Sequence, residues 1–333
     1  MIENTLLNNR IDLLESVGEY LKANNEEWQN AKFRAAQSNA WFTAAHIDMS
    51  VANILEQYLD RKKLTAWVAA YTMPSSPRNV GIIMAGNIPL VGFHDFLCAF
   101  VCGHHLHIKL SSKDDVLQQH IIDYMIYTDP SIASQISVAE RLNGCDAYIA
   151  TGSNNTARYF EQYFGKYPNI IRQNRTSVAI LDGTETEEEL LLLADDVYLY
   201  YGLGCRNVTQ ICVPRNFDFA RLLHLFGKYN DYADLNKYKN NYDYHLAIYL
   251  LNRVPYMSNE SLLMVENDLP FSAVSVLHYR FYDDYQSLVS SLTSNNSIQA
   301  IIGKGFFPFG SAQKPALDNY ADGVDTMAFL TGL

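Results

Sequence analysis

The sequence predicts an α/β fold in which a helical N-terminal segment precedes two regions built on parallel sheets. Three observations carry this. Apolar residues recur at helical spacing over the first 72 residues, short apolar runs then alternate with helix-spaced segments to about residue 183, and the alternation continues less regularly beyond. With 333 residues, 48% of them apolar, the chain can bury the core of one large α/β domain or of two.

In chain order, Leu6, Leu13, Leu14, Val17, Tyr20 and Leu21, and then Val51, Ile54, Leu55, Tyr58 and Leu59, mark helices within 1–72. Pro74, Ser75, Ser76 and Pro77 end that pattern. The apolar run NVGIIMAGN reads as a buried strand, LVGFHDFLCAFVCG as a helix, HLHIKL as a strand and DVLQQHIIDYMIYT as a helix. A weaker run ASQISV, the strand AYIATG, the helix NNTARYFEQYF and the strand SVAIL complete the series. The expected division is a helical segment 1–72, a first α/β domain 73–183, a second α/β domain 184–306 and a C-terminal segment 307–333. The insert KYNDYADLNKYKNNYDYH reads as an exposed loop or helix whose tyrosines cover an apolar channel.

Charge and cysteine use bound the function. A net charge of −11 and a pI near 5.2 come without any basic run, which argues against nucleic acid as a partner. The N-terminal residues carry an acid at position 3 and broken apolar runs, which fits neither a signal peptide nor a membrane span, and no other stretch is long enough to cross a bilayer. Five cysteines, an odd number, read as reduced thiols, so the expected compartment is the cytoplasm.

Parallel sheets bind ligands beyond the carboxyl ends of their strands. Three strand ends attract attention: AGN at 85–87, KLSS at 109–112 and TGSN at 151–154, each followed by a helix whose first N–H groups can receive oxygens. Downstream, YYGLGCRNVTQICVP places Cys205 between Gly204 and Arg206 ahead of a strand. CAFVCGHHLH sets Cys98 and Cys102 near His104, His105 and His107, but a helix running into a strand sends these groups in different directions, so no metal site is expected.

The order of these motifs resembles the aldehyde dehydrogenase superfamily. More narrowly, NAWFTAAHI at 39–47, GLGCRNVTQICVP at 202–214 and PFGSAQKPALDNYADGVDTMAFL at 308–330 resemble the acyl-CoA reductase family, relatives of the fatty-acid reductase of luminous bacteria. The resemblance implies an aldehyde-dehydrogenase-like fold, with 73–183 as a Rossmann-like dinucleotide-binding domain, 184–306 as the catalytic domain and 307–333 returning to the cleft. The chain is shorter than a typical aldehyde dehydrogenase, which implies trimmed N-terminal and oligomerisation segments. Cys205 is then the nucleophile that forms an enzyme thioester, and Asn87 with the Cys205 backbone N–H holds the oxyanion. Each such donor is worth about 3 kcal/mol of barrier.

Hydrolytic relatives carry a Glu-Leu-Gly-Gly segment where this chain has Arg172, Gln173, Asn174 and Arg175, so no carboxylate stands there to activate water. The implied reaction is reduction of an acyl thioester to an aldehyde. The two arginines read either as a solvated basic face or as neighbours of an anionic coenzyme. Lys109 matches the lysine that reaches the adenine ribose. Ser112 stands where NAD-preferring relatives carry an acid, which implies NADPH, with NADH as the second reading. Gly152 and Ser153 are expected beside the cofactor, Asp268 at its nicotinamide ribose, and Pro308, Phe309 and Gly310 along the cleft. The implied substrate is acyl-CoA or another acyl thioester, and the implied protein partners are a second copy of the chain or an acyl-transfer protein. Two other readings stand beside this one: an acyl-phosphate reductase, and a non-catalytic acyl-binding subunit.

Overall fold

The computed structural model describes residues 2–333. The helical spacing of the N-terminal segment is realised in α1 (Ile2–Ala23), α2 (Glu26–Ser38), α3 (Ala44–Gln57) and α4 (Arg61–Val68). Asn25, Thr43 and Asp60 open the last three, each side chain accepting a backbone N–H of the first turn. Their buried faces, among them Leu14, Val17, Trp28, Ile47 and Leu64, join the core of the sheet that follows.

That sheet collects β1 (Asn79–Ile83), β2 (His105–Lys109), β3 (Ile136–Val138), β4 (Ala147–Thr151) and β5 (Asn169–Arg172), with α5 (Phe93–Cys102), α6 (Val116–Thr128) and α7 (Asn154–Phe164) between them. The strand order is β3-β2-β1-β4-β5, all parallel, the doubly wound order with its switch point between β1 and β4. Isoleucine, valine and alanine fill the central strands because helices or loops cover both faces. The sequence reading passes over β5. Its four residues begin in Asn169 and end in Arg172, and only Ile170 and Ile171 between them signal a strand.

A second sheet is built from β6 (Thr176–Ile180), β7 (Val208–Val213), β8 (Met257–Ser258), β9 (Leu263–Glu266), β10 (Val276–Phe281) and β11 (Ile298–Ile302). Helices α8 (Glu187–Tyr198), α9 (Phe219–Phe226), α10 (Asn236–Asn252) and α11 (Tyr285–Thr293) connect them. The order is β11-β6-β7-β10-β9-β8, parallel except for β8. Helix α8 starts in a capping box, Thr186 and Glu189 bonding each other's backbone N–H, with three glutamates in its first turn.

Two sequence expectations change here. The strand SVAIL, placed at the end of the first domain, pairs as β6 with β7 and β11 in the second sheet. Its fully buried, β-branched run fits either sheet equally, and only the pairing decides. The tyrosine-rich insert is core on its inner side: Tyr238 is 2% exposed, Tyr229 stacks on Tyr198 at 4.8 Å, and Tyr232 lies 4.5 Å from Tyr201. The rings fill space rather than roof a channel, while the Asn, Asp and Lys between them face water.

The chain divides into two compact units, residues up to Asn174 together with Pro315–Leu333, and Arg175–Lys314. The returning segment completes the first unit. Its last helix, α12 (Thr326–Thr331), packs on α5. The Trp67 indole N–H donates to the Tyr320 hydroxyl at 2.8 Å, the Tyr71 hydroxyl to Asp325 at 2.9 Å and His104 Nε2 to the Leu330 carbonyl at 3.0 Å. Among the described residues no helix is long and apolar enough to cross a membrane.

Candidate active site

In the first unit the expected residues stand at the carboxyl edge of the sheet. Beyond β1, residues 84–92 turn sharply and carry Asn87, which is half-buried. The turn is held from outside. Asp114 accepts the Leu90 N–H at 2.6 Å, with Leu90 at φ +57°, and the Ser50 hydroxyl of α3 donates to the Pro89 carbonyl at 2.7 Å. Gly86 allows this closeness, since a Cβ there would stand 2.5 Å from the Ser111 hydroxyl. Asn39, from the NAWFT stretch, donates to the Lys113 carbonyl at 3.1 Å, so the N-terminal helices brace both the Asn87 turn and the Ser112 loop. Burial pushes the Asp114 carboxyl up to about 7, the Leu90 N–H working against it.

Beyond β2, Lys109 and Ser112 are exposed and border a cavity of 790 Å3, walled also by Arg34, Gln119, His120 and Arg141. Beyond β4, the Gly152 N–H donates to the Arg172 carbonyl at 3.2 Å and Ser153 caps α7, accepting the Thr156 N–H at 3.3 Å. Asn87 and the Gly152–Ser153 pair therefore leave the two strands that flank the switch point.

In the second unit, Cys205 lies in a turn between α8 and β7. Tyr200 and Tyr201, at φ 55° and 58°, precede Gly202 at φ 73°, three successive residues in the left-handed region that bulky side chains avoid. Asn207 locks the turn: its side-chain oxygen accepts the Gly204 N–H at 2.8 Å, and its amide donates to the carbonyls of Asp196, Val197 and Leu199 at 3.1, 3.3 and 2.8 Å. The Ser177 hydroxyl donates to the Cys205 carbonyl at 3.2 Å. Cys205 is half-buried, whereas Cys98, Cys102, Cys145 and Cys212 are buried, and burial raises all four of those thiols, Cys102 to about 12.

Asp196, at the end of α8, joins this turn to the Pro-Phe-Gly loop. Its carboxylate accepts the N–H groups of Gly310 at 2.7 Å and Ala312 at 3.0 Å while its carbonyl receives Asn207. Phe309, the residue before Gly310, is 9% exposed, and burial moves the Asp196 carboxyl up to about 7. Gly310, at φ +79°, passes so close to Leu192 that a Cβ would stand 2.7 Å from it. Asp268 is exposed on the loop after β9, and the Gln210 amide of β7 donates to the carbonyls on either side of it, Asn267 at 2.8 Å and Leu269 at 3.2 Å.

The arginine expected on a solvated face or beside a coenzyme does neither. Arg172 is 3% exposed, ion-paired to Asp95 of α5 and bonded to the Thr326 hydroxyl at 2.8 Å. A strand-end arginine is drawn inward because Asp95, its side chain 13% exposed, is the anion available to it. The sequence assigns no role to Asp114 or Asp196, nor to Asn207 and Gln210 within the GLGCRNVTQICVP run. Each acts on chain segments that only folding brings near, and the one local signal is Asn207, two residues after Cys205.

No family model matches the chain. It is 22% identical over 234 residues to a long-chain acyl-protein thioester reductase of Photobacterium leiognathi, a match covering 65% of this chain and 47% of that protein. The chain thus spans about half the length of that curated relative. Among solved structures it superposes on aldehyde dehydrogenase 21 of Physcomitrella patens with a TM-score of 0.66 at 13% identity, covering 89% of this chain and 73% of the other. An aldehyde dehydrogenase of Mycobacterium tuberculosis complexed with NAD+ gives 0.62 at 13% identity over 85% and 70%. The chain has the aldehyde dehydrogenase fold and is similar in sequence to the long-chain acyl-protein thioester reductase of Photobacterium leiognathi.

Proposed function

We propose that the protein reduces an acyl thioester to an aldehyde through an acyl group carried on Cys205. The observation that carries this is the contrast among the thiols: four are buried and held protonated, and one sits half-exposed on a turn that Asn207 fixes with four hydrogen bonds. A thiolate there attacks the thioester carbonyl, the oxygen takes the charge, the bond to the donor sulfur breaks, and the donor leaves as a thiol after taking a proton. One thioester replaces another, so the exchange is nearly balanced without an activating nucleotide. Asn87 and the Cys205 N–H are the oxyanion donors in this reading.

Arg172, buried against Asp95, offers no base for water, which favours retention of the acyl-enzyme. Lys109, Ser112, Gly152 and Ser153 at the carboxyl edge of the first sheet, with Asp268 and Phe309 of the second unit, are the residues that would hold a nicotinamide dinucleotide. NADPH is the preferred form because Ser112 presents no charge against a ribose phosphate. When bound, that cofactor supplies the hydride that converts the acyl group to an aldehyde. The donor is acyl-CoA or an acyl-protein thioester, the second reading favoured by the name of the Photobacterium relative.

Radiolabelled acyl-CoA, and separately an acylated carrier protein, incubated without NADPH should leave label on the wild-type chain and none on Cys205→Ala. Label retained by the variant would remove Cys205 from the mechanism. Aldehyde trapping with NADPH present then distinguishes a reductase from a subunit that only binds acyl groups.

A further inference from the structure

The cavity beside Lys109 holds more charge than the strand-end motif supplies. Three cations reach it from three separate elements: Lys109 from the end of β2, Arg34 from α2 and Arg141 from the eight-residue connection 139–146 between β3 and β4. Among the described residues none of the three makes an ion pair within 4 Å, whereas Lys32, Arg61, Arg172, Arg215, Lys228, Lys239 and Lys304 all do. Acids also border the space, but Asp123 is engaged by Gln119 on its own helix at 2.8 Å, and neither Asp115 nor Glu140 pairs with the cations.

Apolar and aromatic walls complete it. Leu110, Val116 and Val138 contribute aliphatic surface, and the His120 ring is fixed by a 2.7 Å hydrogen bond to the Tyr20 hydroxyl. At 790 Å3 the cavity falls within the roughly 300–1,000 Å3 of small-molecule sites. An apolar wall with the His120 ring, beside three cations without ion pairs and a serine hydroxyl, fits a purine nucleoside bearing a phosphate on its ribose. Such a phosphomonoester carries close to two negative charges at neutral pH, and the guanidinium fork matches its oxygens.

We propose that Arg34 and Arg141, acting with Lys109, read a phosphate monoester on the ribose of an adenosine, so that this cavity selects the phosphorylated nucleotide over its unphosphorylated counterpart. The inference rests on the reading that places a nucleotide at Lys109 and Ser112. It assigns selectivity to an arginine of the N-terminal helices, outside the sheet that carries the strand-end motifs. Two ligands share the chemistry: the 2′-phosphoadenosine of NADPH and the 3′-phosphoadenosine of coenzyme A.

Calorimetric titration with ADP, 2′,5′-ADP and 3′,5′-ADP at fixed ionic strength tests it without any turnover. One bisphosphate should bind about tenfold or more tighter than ADP. Arg34→Ala and Arg141→Ala should each shrink that margin severalfold, and the double variant should abolish it with ADP affinity unchanged within about twofold. Preference for the 2′-isomer identifies the dinucleotide phosphate, and preference for the 3′-isomer identifies coenzyme A. Equal affinity for all three, binding of none, or a margin intact in the double variant overturns the proposal. Both arginines lack ion pairs, so melting temperatures of the variants should match wild type. Acyl labelling of Cys205 from an acylated carrier protein, which brings no adenosine phosphate, fails or succeeds independently.

Discussion

Asn87 shows how a single side chain depends on its surroundings. It stands on a turn whose backbone is fixed by Asp114 and Ser50, and in the proposed reaction its amide donates most strongly when the carbonyl oxygen becomes an anion. Asn87→Ala is expected to lower turnover about a hundredfold or more and to leave NADPH affinity nearly unchanged. Rapid-quench kinetics alongside fluorescence titration separates the two. A loss confined to cofactor affinity would make the residue part of the nucleotide site instead. Cys205 was legible in the sequence because Gly-Leu-Gly-Cys-Arg-Asn is contiguous and short. Asp114 and Asp196 were not, since what each does depends on N–H groups 24 and 114 or more residues away.

The Asn87 turn also titrates as an element. Asp114 is 7% exposed, and burial together with neighbouring Asp115 raises its carboxyl to about 7, above the value near 4 of an unfolded chain. The folded state therefore holds the proton more tightly. Its contribution to stability is complete below about pH 4 and is lost as pH rises through about 7. His46, which burial moves down to about 4, acts oppositely, its contribution fading as pH falls from its unfolded value near 6.5 through about 4. The useful comparison is thus one variant against wild type above pH 6. Asp114→Asn keeps an acceptor for the Leu90 N–H but cannot ionise, and its melting temperature should fall less between pH 6 and pH 8.5. Parallel curves for the two proteins would show that Asp114 does not titrate in that range. At this scale β1, β2 and β4 could be read from contiguous apolar runs. β5 could not, with polar residues at both ends, and neither could the buried side of the tyrosine-rich insert, because α10 mixes rings and charges without a clean stripe.

At the scale of the molecule, the alternation of strands and helices announced an α/β chain, and it was the resemblance of the motifs, not the alternation, that implied the aldehyde dehydrogenase fold. Sheet membership did not, because β6 has no feature that favours one set of neighbours before they exist. Arg172 and Asp95 join β5, the last strand of the first sheet, to the apolar helix α5, with side chains 4% and 13% exposed. Removing one partner strands a buried charge, so Asp95→Ala should cost about 3–5 kcal/mol of stability. Urea denaturation measures it, and a cost below about 1 kcal/mol would mean that water or another anion replaces the carboxylate.

The interrupted course of the first unit sets an order of events during synthesis. The second unit, Arg175–Lys314, is continuous and lies wholly ahead of the segment that its neighbour awaits. Until Pro315–Leu333 has been made, Trp67, His104 and Arg172 lack Tyr320, Leu330 and Thr326 as partners, and α5 lacks its cover of α12. Domains emerging from the ribosome usually mature from the N-terminus onward. Here the later half of the polypeptide can finish first, and the earlier half must stay incomplete, with apolar α5 uncovered, while some 140 further residues are translated.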